Sequence, residues 1–224
     1  MMSTKTVVLT IDGPSGSGKG TISKRIAETL GWHYLDSGAL YRALGVAAIA
    51  NNIELDDEQA LTDLANRVSL EFKRDQQQQW VVLLDGQEIQ QQLQTEAVGD
   101  VASKLAVFAK VREALLLKQR GFEQAPGLVA DGRDMGSVVF PNASNKVYLT
   151  ASAGIRGKRR YKQLIEKGIN ANLRVVIEDI EQRDERDKNR SASPLIIPDD
   201  ALVIDSSDIG IDEVVNQIVS FLNN

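Results

Sequence analysis

Nine residues near the start of the chain, Gly13-Pro14-Ser15-Gly16-Ser17-Gly18-Lys19-Gly20-Thr21, constrain the fold more than any other stretch. An apolar, β-branched run precedes them at residues 6–11, and Ile22, Ile26, Ala27 and Leu30 follow at helical spacing. Strand, glycine-rich turn and helix form the arrangement that cradles nucleotide phosphates. Glycines let successive backbone N–H groups turn inward, the helix N-terminus adds positive potential, and Lys19 reaches the β- and γ-phosphates. All nine residues, Gly13 to Thr21, are therefore predicted to bind a nucleoside triphosphate.

The hydroxyl residue that usually follows the loop lysine, where it meets Mg²⁺, is replaced here by Gly20. Thr21 supplies the hydroxyl one position later. The Gly-Lys-Gly-Thr form is that of nucleoside monophosphate kinases rather than GTPases. Asn145-Lys146-Val147-Tyr148 also lacks the aspartate that a guanine-reading segment requires. A kinase is favoured over a switch protein.

With 224 residues the chain suits one domain with insertions, large enough to bury a core without staples. It has no cysteine, which excludes disulfides, thiolate metal sites and cysteine nucleophiles. No apolar run approaches the ~20 residues of a membrane span, and the N-terminus lacks a signal-peptide core, so cytoplasmic residence is expected. A net charge of −5 argues against nucleic-acid partners. Arginines nevertheless gather at 156, 159 and 160 and at 183, 186 and 190. Those clusters fit a cationic pocket for a small phosphorylated ligand. They equally fit helix-surface ion pairs with neighbours such as Glu181 and Asp184.

Five short apolar runs, at 6–11, 34–36, 128–131, 146–150 and 201–205, read as buried parallel strands alternating with helices. A final amphipathic helix follows, with Ile211, Val214, Val215, Ile218 and Leu222 on one face. Between about 54 and 123 the rhythm breaks. A helix from Asp57, alternating strands at 68–73 and 80–85 with turns at 76–79 and Asp85-Gly86, and helices at 95–105 and 111–122 make an inserted subdomain. Residues 1–53 and 124–224 are then the core of a single kinase domain spanning 1–224.

Several positions near strand ends carry chemistry. Ser37 sits where the second strand becomes a helix and suits an N-cap, with Arg42 one turn on and placed to help hold a phosphate. Asp131 closes the third apolar strand, where a phosphate-loop protein holds Mg²⁺; Thr21 is the other metal candidate. Arg133 and Asp134 follow it, in a loop that reads either as part of a ligand cleft or as a charged turn. Arg156, Arg159 and Arg160 share a helical face over 152–167 and would close on a triphosphate as charge develops. Gly157 inside that helix predicts a loose lid. Arg183, Asp187 and Arg190 are read as one face of a further helix. His33, the only histidine, is expected to be structural.

These segments resemble the bacterial cytidylate kinases along the whole chain. The resemblance rests on Ile11-Asp12-Gly13-Pro14-Ser15-Gly16, on Leu35-Asp36-Ser37-Gly38 with Tyr41-Arg42, on Ala130 to Gly136 with Val139-Phe140-Pro141, and on Arg183-Asp184 through Arg190. The third of these and the long insert separate that family from adenylate, guanylate and shikimate kinases. The resemblance implies a P-loop NTPase fold, a five-stranded parallel sheet flanked by helices, with an inserted monophosphate-binding subdomain at 54–123 and a helical lid at about 152–168. It implies transfer of the ATP γ-phosphate, with Mg²⁺, to CMP and dCMP and less well to UMP; separately, a monomer is expected. Lys19, Asp131, Arg159, Arg160 and Arg190 would be catalytic. Ser103, Arg112 and Asp134 would contact cytosine, Arg183 and Asp187 the sugar, and Arg42, Arg133 and Arg190 the acceptor phosphate, with Ser37 in the same substrate site. Two other readings remain open from the residues: a kinase of the same fold with a different acceptor, and a nucleotide-binding regulator without transferase activity.

Overall fold

The computed structural model describes residues 6–223, so residues 1–5 and 224 of the expected kinase domain lie outside the described residues. Five strands, β1 (Val7–Asp12), β2 (His33–Asp36), β6 (Gly127–Gly132), β7 (Asn145–Thr150) and β8 (Leu202–Asp205), form one sheet in the order β2-β6-β1-β7-β8. β1 pairs in parallel with β6 from Val7↔Gly127 to Asp12↔Gly132 and with β7 from Leu9↔Asn145 to Asp12↔Tyr148; β7 pairs in parallel with β8. The central strands read as unbroken apolar runs because both of their faces are covered: all six residues of β6 are buried. The strand limits fall within two residues of those read from the sequence.

The chain separates into two compact units, Met1–His33 with Ala125–Asn224, and Tyr34–Gln124. In the first, α1 (Lys19–Leu30) buries Ile22, Ile26 and Ala27 and packs against β6, and α9 (Ile211–Leu222) packs against α1. Helices α7 (Ala153–Glu166) and α8 (Leu173–Asn189) form a hairpin around Leu164, Val176 and Ile180. Ser152 caps α7 by accepting the Ile155 N–H, and Asn172 caps α8 at Arg174 and Val175. Gly157 does not loosen this hairpin. A Cβ at that position would stand 2.3 Å from Ile177 Cγ1, so the glycine is what allows α7 and α8 to approach. α8 also stops at Asn189, and Arg190 is extended (φ −61°, ψ 137°), so Arg183, Asp187 and Arg190 do not form one helical face.

The second unit takes in residues 54–123 together with α2 (Ser37–Ala50), which packs onto α3 (Glu58–Arg67) and α5 (Glu96–Leu105). Leu44, Leu61, Leu64, Leu105 and Leu115 form its core, the last from α6 (Ala109–Arg120). Asp36, not Ser37, caps α2, its carboxylate accepting the Ala39 N–H at 2.9 Å. β3 (Leu70–Arg74) and β4 (Trp80–Leu84) pair antiparallel, and the Asp85-Gly86 turn returns the chain as a third, two-residue strand, β5 (Gln87–Glu88). A short helix, α4 (Gln90–Leu93), follows. Both are too short to leave a period in the sequence. Among the described residues no helix is long and apolar enough to cross a membrane.

Candidate active site

β1 delivers the glycine-rich turn to the carboxyl edge of the sheet, where ligands of such sheets bind. Gly13 lies so close to β7 that a Cβ would fall 2.0 Å from the Leu149 carbonyl oxygen. Gly18 takes up a left-handed conformation (φ 95°) that lets the chain turn directly into α1. Lys19 opens that helix, largely buried, and its Nζ donates to the Pro14 carbonyl at 3.0 Å, across the mouth of the turn. The positive end of the α1 dipole and this ammonium together form an anion cradle. Ser17 Oγ is buried without a hydrogen-bond partner among the described residues. Thr21 is exposed on the first turn of α1.

Asp131, near the end of β6, is buried, as is Asp134. From Asp134 the chain enters a five-residue π turn, Met135–Val139. Its first two N–H groups, of Met135 and Gly136, are each held at 2.8 Å by the buried carboxylate of Asp12. Burial pushes the Asp12 pKa up from 3.8 to about 6, with Asp134 adding to the rise; the two N–H bonds and Lys19 oppose it. Arg133 Nε donates to Asp187 Oδ2 at 2.7 Å. Burial opposes the Arg133 charge, but Asp187, Asp131 and Asp184 outweigh it and raise its pKa. Burial likewise opposes the Asp187 charge, and Arg133, Arg183 and Arg190 together overcome it and lower the Asp187 pKa. Arg190 Nη2 stands 3.9 Å from Asp134 Oδ1. Within the first unit the fold thus gathers Arg133, Asp134, Arg183, Asp187 and Arg190 into one charged network, although their sequence positions span two segments.

The three arginines of α7 act separately. Arg156 is buried and its guanidinium joins three elements: Nε donates to Ala151 O and Nη1 to Ser15 O, each at 2.8 Å, and the fork pairs with Asp184 of α8. Arg159 donates to Ser17 O and to Ser206 just beyond β8, and Ser206 Oγ in turn donates to Thr150 O at 3.0 Å. Arg160 is half-buried and donates to Gln163 Oε1. The three lie on the one face of α7 that their spacing gives, yet their bonds differ: Arg156 and Arg159 reach the phosphate loop at Ser15 O and Ser17 O, and Arg160 bonds along its own helix.

In the second unit, Ser37 Oγ accepts from Gln119 Nε2 at 3.2 Å, and Arg42 Nη1 donates to Leu93 O at 2.6 Å, its guanidinium lying against Gly99. Arg112 is buried, donating to Ala106 O and stacked 5.6 Å above the Tyr41 ring. Ser103 is buried, and its Oγ has no hydrogen-bond partner among the described residues. His33 is exposed, with Nε2 3.0 Å from the Ala125 carbonyl.

Sequence reasoning assigned no role to Asp12, to Arg156 as a structural tie or to Ser206, and read Asp184 only as a helix-surface ion-pair partner. Asp12 bore the same mark as Asp131, an aspartate ending an apolar strand just before a glycine. Ser206 carried no local signal, and nothing local told which arginine Asp184 would meet, because their partners Arg159 and Arg156 lie far along the chain.

Among known proteins, the cytidylate kinase family model matches residues 9–224. A cytidylate kinase of Colwellia psychrerythraea is 53% identical over 99% of this chain and 98% of its own. One from Aeromonas salmonicida is 52% identical over 96% of this chain and 93% of its own. A third, from Shewanella sp. (strain MR-4), is 51% identical over 99% and 97%. With a family model that matches residues 9–224 and relatives about half identical over nearly the whole chain, the chain belongs to the cytidylate kinase family.

Proposed function

We propose that this chain transfers the γ-phosphoryl group of ATP to a phosphate oxygen of CMP or dCMP, giving ADP and CDP or dCDP. The observation that carries this reading is the charged network of the first unit. There a buried carboxylate, Asp134, sits beside Arg190, and Arg133 and Asp187 are paired next to a phosphate loop. A carboxylate accepts a hydrogen bond from the cytosine amino group, whereas uracil presents an oxygen there and is repelled.

The acceptor phosphate is already a nucleophile at neutral pH, so the protein's work is positioning and charge neutralisation rather than proton removal. Backbone N–H groups from Ser15 to Thr21, with Lys19, hold the donor phosphates. Arg159, Arg160 and Arg190 neutralise the migrating group, and Asp131 orients the site beside it. Arg133, Arg190 and, in the second unit, Arg42 with Ser37 hold the acceptor phosphate end. Arg183 and Asp187 take the sugar, and Asp134, Ser103 and Arg112 the base. The segment 152–168 serves as the lid, and 54–123 as the monophosphate-binding subdomain. We further propose that the protein works as a cytoplasmic monomer on these small molecules, with neither nucleic acid nor membrane as partner.

Thr21 and Asp131 offer Mg²⁺ one hydroxyl and one carboxylate. Among the described residues no group of three or more acidic, histidine or cysteine side chains forms an ion cage. So sparse a set of hard oxygen donors fits Mg²⁺, an ion that keeps most of its waters and binds mainly through nucleotide phosphates. Thr21 and Asp131 would hold the ion, which when bound would supply neutralisation of phosphate charge.

Incubation with ATP, Mg²⁺ and each of CMP, dCMP, UMP, AMP and shikimate tests the reading. CDP and dCDP are expected in clear excess over UDP, with neither ADP-forming transfer to AMP nor shikimate phosphate. Preferred turnover of AMP or shikimate, or ATP binding without any transfer, overturns it.

A further inference from the structure

Asp12 ends β1 immediately before the phosphate loop, yet its carboxylate points across the sheet to the turn after β6. Its Oδ1 accepts the Met135 N–H and its Oδ2 the Gly136 N–H, both at 2.8 Å. These are the leading N–H groups of the π turn, which is closed internally by Val139 N–H to Asp134 O at 3.1 Å and Phe140 N–H to Met135 O at 2.7 Å. The leading N–H groups of any helical turn have no partner within it. Here one carboxylate, 123 positions away in sequence, satisfies two of them at once. Two oxygens on two successive peptide planes fix the planes' rotation as well as their position. The residue whose direction those planes determine is Asp134, held at φ −147°, ψ 22° with its carboxylate buried.

We propose that Asp12 is a positioning residue for acceptor selectivity: its grip on the Met135 and Gly136 N–H groups sets the direction in which the Asp134 carboxylate meets the nucleobase amino group. The proposal rests on the reading of Asp134 as the base-contacting residue. A serine or asparagine at position 12 would offer a single acceptor in place of two, and asparagine would also aim an amide N–H at one of the two donors. A carboxylate is maintained here against the opposition of burial, which lifts the Asp12 pKa to about 6. That is a poor choice for a residue that merely fills space. The near side of the turn is equally constrained, since a Cβ on Gly136 would lie 2.9 Å from Thr10 Oγ1 and 3.2 Å from Lys146 Cδ. The turn is therefore seated closely on the sheet face that carries Asp12 and Thr10, with Lys146 beside it.

The test compares kcat/KM for CMP and UMP at saturating ATP in wild type, D12N, G136A, D134A and the D12N/D134A double variant, with KM for ATP measured alongside. In D12N the CMP-to-UMP ratio falls about tenfold, the equivalent of about 1.4 kcal/mol, through a raised KM for CMP and an unchanged KM for ATP. G136A, which presses the turn away from Thr10 and Lys146 while leaving Asp12 in place, produces the same fall and decides the matter if D12N does not fold. In the D134A background, D12N lowers the ratio no further, because both act through one group. A wild-type ratio in D12N and G136A, with selectivity lost in D134A, overturns the positioning role alone. So does an undiminished effect of D12N without Asp134. If D134A itself keeps the wild-type ratio, the base reading fails and the proposal falls with it.

Discussion

Replacing Gly157 with alanine sets helix propensity against packing, and the structure decides which prevails. In an open helix interior the change stabilises by about 1 kcal/mol. In α7 the new methyl carbon would stand 2.3 Å from Ile177 Cγ1 and 3.4 Å from Ile177 Cβ and Cδ1. Non-bonded carbons sit at about 3.5–4.0 Å, so the first contact is short by more than 1 Å. Cγ1 is one bond from the branched Cβ, and movement of the far end of the side chain does not relieve the overlap. Either the stiff χ1 of Ile177 leaves its helical well or α7 and α8 part. Overpacking of this kind costs about 1–3 kcal/mol. Set against the propensity gain, Gly157→Ala destabilises by about 1 kcal/mol, a fall in thermal midpoint of about 2–4 °C for a chain of this size. Ile177→Ala removes the obstructing carbons. In a double-mutant cycle read by thermal unfolding, the combined variant is more stable than the sum of the single changes by at least about 1 kcal/mol. A stabilised Gly157→Ala variant, or additivity within about 0.5 kcal/mol, refutes the packing argument.

Lys19→Met removes the ammonium from the phosphate cradle and is expected to lower turnover by orders of magnitude with CMP affinity largely intact; single-turnover kinetics with CMP titration checks it, and a near-normal rate defeats the role. Asp12 predicts a pH effect on stability. Its folded-state pKa, about 6, lies above the ordinary 3.8, so its contribution is fully present below the ordinary value and is lost as pH rises through about 6. Relative to wild type, Asp12→Asn should therefore gain on the order of 1 kcal/mol between pH 5 and pH 7.5. Denaturant unfolding at the two pH values measures this, and a constant gap between the proteins contradicts it.

The sheet was legible because buried parallel strands leave unbroken apolar runs, and β1, β6 and β7 are of that kind. The phosphate loop was legible because its backbone demands glycine at fixed positions. Long-range pairings were not. Gly157 read as a weakness because Ile177, the side chain that needs its absence of Cβ, lies twenty positions away on another helix. Arg190 read as helical because its spacing fits, whereas the chain leaves α8 one residue earlier and binds the Ser193 carbonyl instead. Adjacent Asp36 and Ser37 are both good caps, and only the backbone geometry distinguishes them. Arg156 was legible as part of a cationic cluster, but the deep burial that makes it a tie between three elements depends on Asp184 and Ser15 arriving beside it.

The Arg133–Asp187 pair bears on how the protein meets anions in solution. Its two side chains are only 15% and 12% exposed and neutralise each other at 2.7 Å. A guanidinium balanced in this way projects little field beyond its surroundings, so it contributes little to drawing phosphates in from a distance. An incoming anion gains at that position only by trading places with the carboxylate, and a bare inorganic phosphate gives the displaced Asp187 no new partner. A ligand that carries hydroxyl donors next to its phosphate can satisfy both halves of the opened pair. If Arg133 and Asp187 receive the acceptor as proposed, the resting pair favours such a ligand over stray anions.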